Sequence, residues 1–219
     1  MDINYGTCRH NDDGLHNLIF PLELAPRTPK GKIQQNKCPA LKAARNQTYI
    51  IRSPIDIDLT FDWKTKSISH SKLSMSAYEQ LIAMDGDIFE TPHHGFQIKT
   101  DYLFWTDKKP GKTTQIWVHD IPASMQTKFE DWYIVPGMLP SNVLTRQLQV
   151  PIILREGVDV INISRGQPVA AVSIFAKEKV NLIHNETIPD EVISRAFRSI
   201  NAAKLCPYTY AKEVFSRFL

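Results

Sequence analysis

The chain has three cysteines and nine glycines in 219 residues, no acidic or basic excess of consequence, and no long apolar run. Cys8, Cys38 and Cys206 are an odd number at wide spacing, with no CxxC pair and no Cys-His interval that suits zinc. That excludes a disulfide scaffold and a zinc finger, and the thiols read as free. Lys and Arg number 26 against 23 Asp and Glu, a net charge of +3, and the basic residues fall singly or in short clusters. Nucleic-acid binding through phosphates needs basic side chains gathered on one face, so a nucleic-acid partner is not expected. No stretch approaches the roughly 20 apolar residues of a membrane helix. The N-terminal MDINYGTCRHNDDG has none of the basic-then-apolar layout of a signal peptide. A membrane partner is therefore not expected, and the sequence reads as an intracellular product or as part of something assembled inside a cell.

What is present is enough apolar residue for a real core. With 42% hydrophobic and 22% charged residues the chain is too apolar for disorder, and its scattered Gly and Pro exclude low-complexity and collagen-like classes. Residues 1–48 are rich in turn formers, with Asn11-Asp12-Asp13-Gly14 and then Pro21, Pro26, Pro29, Gly31 and Pro39. They read as an extended N-terminal arm with one short strand around Leu18 to Leu24. From Tyr49 the pattern alternates: Ile55, Ile57, Leu59 and Phe61 share one face, and Asp56, Asp58, Thr60 and Asp62 the other. That is a half-buried strand with an acidic solvent face.

Leu73, Ala77, Leu81 and Met84 recur at helical spacing before Gly86, which predicts one inserted helix near 72–85. Short aromatic and β-branched segments then follow at 8–12-residue intervals, the pattern of a β-sandwich or barrel. The Lys108-to-Lys112 turn reads as a hairpin, and the strands bracketed by Gly157 and Gly166 read as a meander. In FEDWYIVPGMLP both faces of the strand carry large side chains, as in a central strand or one whose outer face meets another chain. At the C-terminus, Thr187 and Asp190 with Pro189 between them predict a capped helix start. The expected organisation is an arm over 1–48, a β-sandwich or jelly-roll-like core over 49–186, and C-terminal helices over 187–219 packed on it. The fold class is mainly β.

Catalytic templates fail one after another. There is no G-x-S-x-G elbow, no G-x-G-x-x-G, and no complete phosphate loop; Pro110-Gly111-Lys112-Thr113-Thr114 lacks the first glycine. No cofactor is expected. His93 and His94 are adjacent, so in a strand they face opposite ways, whereas metal ligands converge from alternate positions. A cupin-like metal enzyme would need one of them together with His119 or His184. The aromatics are richer: Phe104, Trp105, Trp117, Trp132 and Tyr133 are interleaved with Lys108, Lys109 and Lys112. A host-directed binding or inhibitor protein would line a pocket with Trp105, Trp117 and those lysines, while core filling is the competing use of the rings. Phe215, Phe218 and Leu219 end the chain on an apolar note and suit docking on the domain or on a partner.

Lys37-Cys38-Pro39-Ala40 leading into Tyr49-Ile50-Ile51-Arg52-Ser53-Pro54, then GFQIKT with a following Pro-Gly turn, and GVDVINISRGQPVAAVSIFAKEK, together resemble an uncharacterised family of tailed-bacteriophage proteins found notably in phages of cyanobacteria. The similarity runs from about Cys38 to Lys179 and is best around Arg165-Gly166-Gln167-Pro168. Where that family has an I-K-T-P-P-G-Y run, this chain inserts Ile98 to Trp105 before Pro110-Gly111. No activity is attached to the family, so the resemblance implies no catalytic residue. It implies a viral origin; the irregular arm, the apolar C-terminus and the failure of the catalytic templates then point to a non-enzymatic virion or assembly component. Its partners would be other phage proteins or its own copies, in the virion or the host cytoplasm.

Overall fold

The computed structural model describes residues 2–7, 20–25, 47–62, 64–65, 67–70, 82–83, 95–100, 102–106, 115–121, 131–140, 148–176, 179–194 and 196. Fifteen strands are found among them. They are β1 (Asp2–Thr7), β2 (Glu23–Leu24), β3 (Thr48–Arg52), β4 (Ile57–Asp62), β5 (Ser67–His70), β6 (Ile82–Ala83), β7 (Gly95–Lys99), β8 (Tyr102–Trp105), β9 (Gln115–His119), β10 (Trp132–Ile134), β11 (Gly137–Pro140), β12 (Gln149–Leu154), β13 (Val160–Ile163), β14 (Pro168–Phe175) and β15 (Asn181–His184). They form four sheets in the orders β15-β1-β8, β10-β12-β7-β6, β11-β9-β14-β3-β2 and β13-β4-β5. Every pairing is antiparallel except β1 with β15.

The fold is mainly β, and among the described residues no sheet closes into a barrel. One apolar core joins all four sheets, because alternate residues of each strand turn inward. Ile3 and Phe104, Phe96 and Ile152, Ile51 and Val172, and Leu59 and Ile161 meet there. The alternation read in β4 is present as expected, with Ile57, Leu59 and Phe61 buried and Thr60 and Asp62 exposed. Asp62 closes the turn to β5 by accepting the amides of Lys64 and Thr65 at 2.9 and 3.2 Å. Hydrogen bonds from Thr65 and Lys64 hold its carboxyl below the usual range. Gly157 and Gly166 adopt φ of 81° and 79°, a left-handed conformation that glycine takes without Cβ strain, at the turns before β13 and β14.

Several expectations change. Residues 2–7 are a strand inside a sheet, with Ile3 and Tyr5 in the core, where an arm was expected. Of the expected strand around 18–24, the two residues Glu23–Leu24 pair with β3. Ile82–Ala83, within the expected inserted helix, form a strand against β7, and the rest of that span lies outside the described residues. The chain after Gly157 is no meander: β12 pairs with β10 and β7, β13 with β4, and β14 with β3 and β9. Nor are β8 and β9, the strands before and after Lys108 to Lys112, a hairpin, since they lie in different sheets. Among the described residues β10 stands at an edge of its sheet, where a central position was one of two expectations. Where the meander and the hairpin fail, a distant strand takes the place of the local partner because burial of apolar faces, which has no preference for local pairing, sets the register.

The C-terminal helix begins later than its chemistry suggested. Residues 190–194 and 196 are helical, and the amide of Ile193 reaches back to the carbonyl of Pro189, so the first turn opens there and not at Thr187. Ile188, Val192 and Ala196, spaced by four, bury one stripe against Leu103 and Trp105, the β8 residues that face away from the main core. No helix among the described residues is long and apolar enough to cross a membrane.

Candidate functional site: the outer face of the five-stranded sheet

The sheet β11-β9-β14-β3-β2 turns Ile116 and Val118 of β9 and Val172 and Ile174 of β14 into the core. Its other face therefore carries Gln115, Trp117 and His119 from β9, and Ala171, Ser173 and Phe175 from β14. In register, Trp117 stands opposite Met138 on one side and Ser173 on the other. Trp117, Met138 and Phe175 are 42%, 58% and 38% exposed, and the Trp117 and Phe175 rings lie 5.8 Å apart. Three large apolar side chains thus share one open patch. The β3 end of this face is different: Ile50 and Ala171 are buried with Ala25 in a small cluster of their own.

Beside the patch runs a chain of side-chain hydrogen bonds. His119 Nδ1 lies 2.7 Å from the main-chain carbonyl of Asp120, and its Nε2 2.8 Å from Ser173 Oγ, which is 2.7 Å from Thr48 Oγ1. A carbonyl accepts only, so Nδ1 carries a hydrogen, and in the tautomer with a single ring hydrogen Nε2 accepts. The Ser173 hydroxyl then donates to His119, which leaves its oxygen to accept from Thr48. A serine donating to an imidazole is the opening geometry of nucleophilic catalysis. Here Ser173 is 3% exposed, so it is closed to a substrate. The effect of the chain is mechanical: it ties β9, β14 and β3 together across the face and fixes the ring next to Trp117, 6.1 Å away edge-on.

The residues singled out in the sequence are dispersed. Trp105 is 6% exposed and packs on Ile188 and Val192, while Trp117 is exposed on another sheet. An aromatic-lined pocket built on both is therefore corrected: β8 spends Trp105 on holding the C-terminal helix. His119 stands on β9 with both ring nitrogens hydrogen-bonded within the chain, and His184 on β15 stacks against Tyr5 at 4.9 Å. They belong to separate sheets, and the described residues contain no group of three or more His, Cys, Asp or Glu placed to hold a metal. His93, His94, Lys108, Lys109, Lys112, Phe215, Phe218 and Leu219 lie outside the described residues, as do the three cysteines.

Sequence reasoning missed Met138, Phe175, Ser173 and Thr48. Alternation in QIWVH and VAAVSIF does place Trp117 with His119, and Ser173 with Phe175, on one face each. Nothing in a single strand says that β9 and β14 are neighbours.

No protein-family model matches the chain. No curated protein matches it either. Among solved structures, a mutant dUTPase from phage phi11 of S. aureus aligns with 77% of this chain and 97% of its own, at 12% sequence identity and a TM-score of 0.34. A likeness that remote assigns neither fold nor activity to this chain.

Proposed function

We propose that this protein works through protein–protein contacts, as a non-enzymatic component of a tailed-bacteriophage particle or of its assembly. The observation that carries the contact role is the patch of Trp117, Met138 and Phe175 on one sheet face. Scattered single apolar residues on a surface need no explanation, but contiguous large ones, an aromatic pair among them, are what protein interfaces are built on. The hydrogen-bonded chain from His119 to Thr48 supports this reading, because a surface held rigid before binding loses less entropy on association. The phage assignment rests on the sequence resemblance around Arg165-Gly166-Gln167-Pro168.

Two measurements test the two parts. Mass spectrometry of purified particles and of assembly intermediates should detect the chain at a fixed copy number, and its absence from both removes the phage role. Trp117→Lys should leave the fold intact, since the ring is outside the core, and should abolish the native assembly or lower its affinity at least tenfold. An assembly that forms undiminished with Trp117→Lys refutes the patch as the contact.

A further inference from the structure

Among the described residues that border Trp117, Met138 and Phe175, His119 is the one of a type whose charge changes between pH 5 and 8. Its ring is half-buried and both nitrogens are engaged, Nδ1 with the Asp120 carbonyl at 2.7 Å and Nε2 with Ser173 Oγ at 2.8 Å. A second ring hydrogen can go only on Nε2, where it points at the Ser173 oxygen. The Ser173 hydrogen must then turn to Thr48 Oγ1, 2.7 Å away, and Thr48 must cease donating to Ser173. Ser173 and Thr48 are 3% and 4% exposed, so neither hydroxyl has bulk water to turn to. One proton on the ring therefore reverses the hydrogen bonds that run across β9, β14 and β3. The charged groups of this face already hold partners. Asp120, next along the chain, accepts the Ile134 amide of β10 at 2.8 Å, while Arg52 of β3 and Glu23 of β2 pair with each other at 3.2 Å. The other side chains that β14, β3 and β11 bring to this part of the face are Ala171, Ser173, Phe175, Thr48, Ile50 and Met138, and none carries a charge.

We propose that protonation of His119 switches the patch contact off. A partner seated on Trp117, Met138 and Phe175 also covers the adjoining imidazole, whose ring centre is 6.1 Å from that of Trp117. A charged ring would lose its water there without gaining a counter-charge from its own sheet, and burying such a charge is costly. The contact therefore takes the neutral ring, and a charged ring gives its proton to solvent as the partner docks. The sign follows from linkage: the free surface binds the proton and the covered one does not. Affinity is full above the imidazole range and falls as pH drops through it, by at most about tenfold per pH unit for one proton. The inference rests on the reading that this face is a protein contact, and it adds the condition under which that contact forms and releases.

Two measurements on the full chain test the switch. Nitrogen-15 NMR of the histidine rings at pH 8, assigned with His119→Gln, should find the single hydrogen of the neutral His119 ring on Nδ1. A hydrogen on Nε2 alone overturns the hydrogen-bonded chain and the switch with it. The affinity of the native assembly, the one used for Trp117→Lys, is then compared at pH 8 and pH 5.5, with circular dichroism recorded at both. Wild-type affinity should fall at least fivefold at pH 5.5 with the β signal unchanged. In His119→Gln, which keeps a donor and an acceptor beside Ser173 but cannot be charged, the ratio should shrink to less than about twofold. A wild-type ratio near one, an equal fall in His119→Gln, or a fall that follows loss of the β signal each overturns the switch. Trp117→Lys is read at pH 8 alone and decides the contact separately: an undiminished assembly there removes the contact reading, whereas a lost assembly with no pH ratio in the wild type removes only the switch.

Discussion

Gly6 lies where β1 passes closest to the segment that leads into the C-terminal helix, and adding one methyl group there should measurably weaken the fold. A Cβ built on Gly6 would sit 2.8 Å from the Asn185 carbonyl oxygen, 2.8 Å from Ile188 Cγ1 and 3.3 Å from Ile188 Cδ1. The first contact is with backbone, which cannot swing away, and it is pinned because the Asn185 amide donates to the Tyr5 carbonyl at 2.8 Å. Two effects of Gly6→Ala oppose each other. Reduced freedom of the unfolded chain favours Ala by about 0.4–1 kcal/mol. Overpacking a filled site costs about 1–3 kcal/mol. The steric term wins, for a net loss of about 1–2 kcal/mol, or a fall in Tm of roughly 2–8 °C for a chain of this size. Gly137→Ala is the matched control: it is also a strand glycine, and a Cβ there meets nothing within 4 Å. Only the entropic gain remains, so its stability should be equal or slightly higher. Urea unfolding of both variants at neutral pH, with unchanged slopes, gives the comparison. If Gly6→Ala proves as stable as Gly137→Ala, β1 is not packed against residues 185–188 as described.

Three further outcomes follow from the same structure. Ser173→Ala should cost about 1–2 kcal/mol because two hydrogen bonds vanish at a buried site, and a double-mutant cycle with His119→Ala should show a coupling of at least ~0.5 kcal/mol; additivity would mean that the two side chains do not interact. Burial raises the pKa of Tyr102, and of Tyr5 and Tyr49, above the ordinary phenol value. The unfolded chain then releases these protons first, so stability is complete below about pH 10 and falls as pH rises beyond it, by up to ~1.4 kcal/mol per pH unit for Tyr102. Urea unfolding from pH 8 to 11 should show that decline, and Tyr102→Phe should shallow it; an unchanged slope in the variant counts against the buried hydroxyl. Glu23→Ala, at an exposed ion pair with Arg52, should change stability by less than ~1 kcal/mol, and a larger loss would show that this pair carries more than a surface ion pair does.

Local chemistry was legible wherever a residue acts on its near neighbours. The alternation in β4 and the turns at Gly157 and Gly166 depend on backbone geometry within a few positions. Trp105 and Trp117 mark the boundary of that legibility. Twelve residues apart and both flanked by strand-forming residues, they look equivalent in sequence, yet β8 pairs with β1 and buries Trp105 under a helix, while β9 pairs with β11 and leaves Trp117 open. The candidate site depends on pairings of this kind. His119, Ser173 and Thr48 are separated by 54 and 125 residues along the chain and touch only because β9, β14 and β3 are adjacent.

By itself, then, the sequence determined a mainly β chain with an ample core, no obvious catalytic template and a set of strands whose inward and outward faces could be read from their period. Tertiary structure alone decided that residues 2–7 belong to the core, that the strands after Gly157 separate into three different sheets, and that three apolar side chains gather beside a fixed histidine. The physical reason is range. Side-chain alternation and turn strain are local properties, whereas strand pairing is chosen by the burial that the whole chain achieves at once, to which residues more than a hundred positions apart contribute equally.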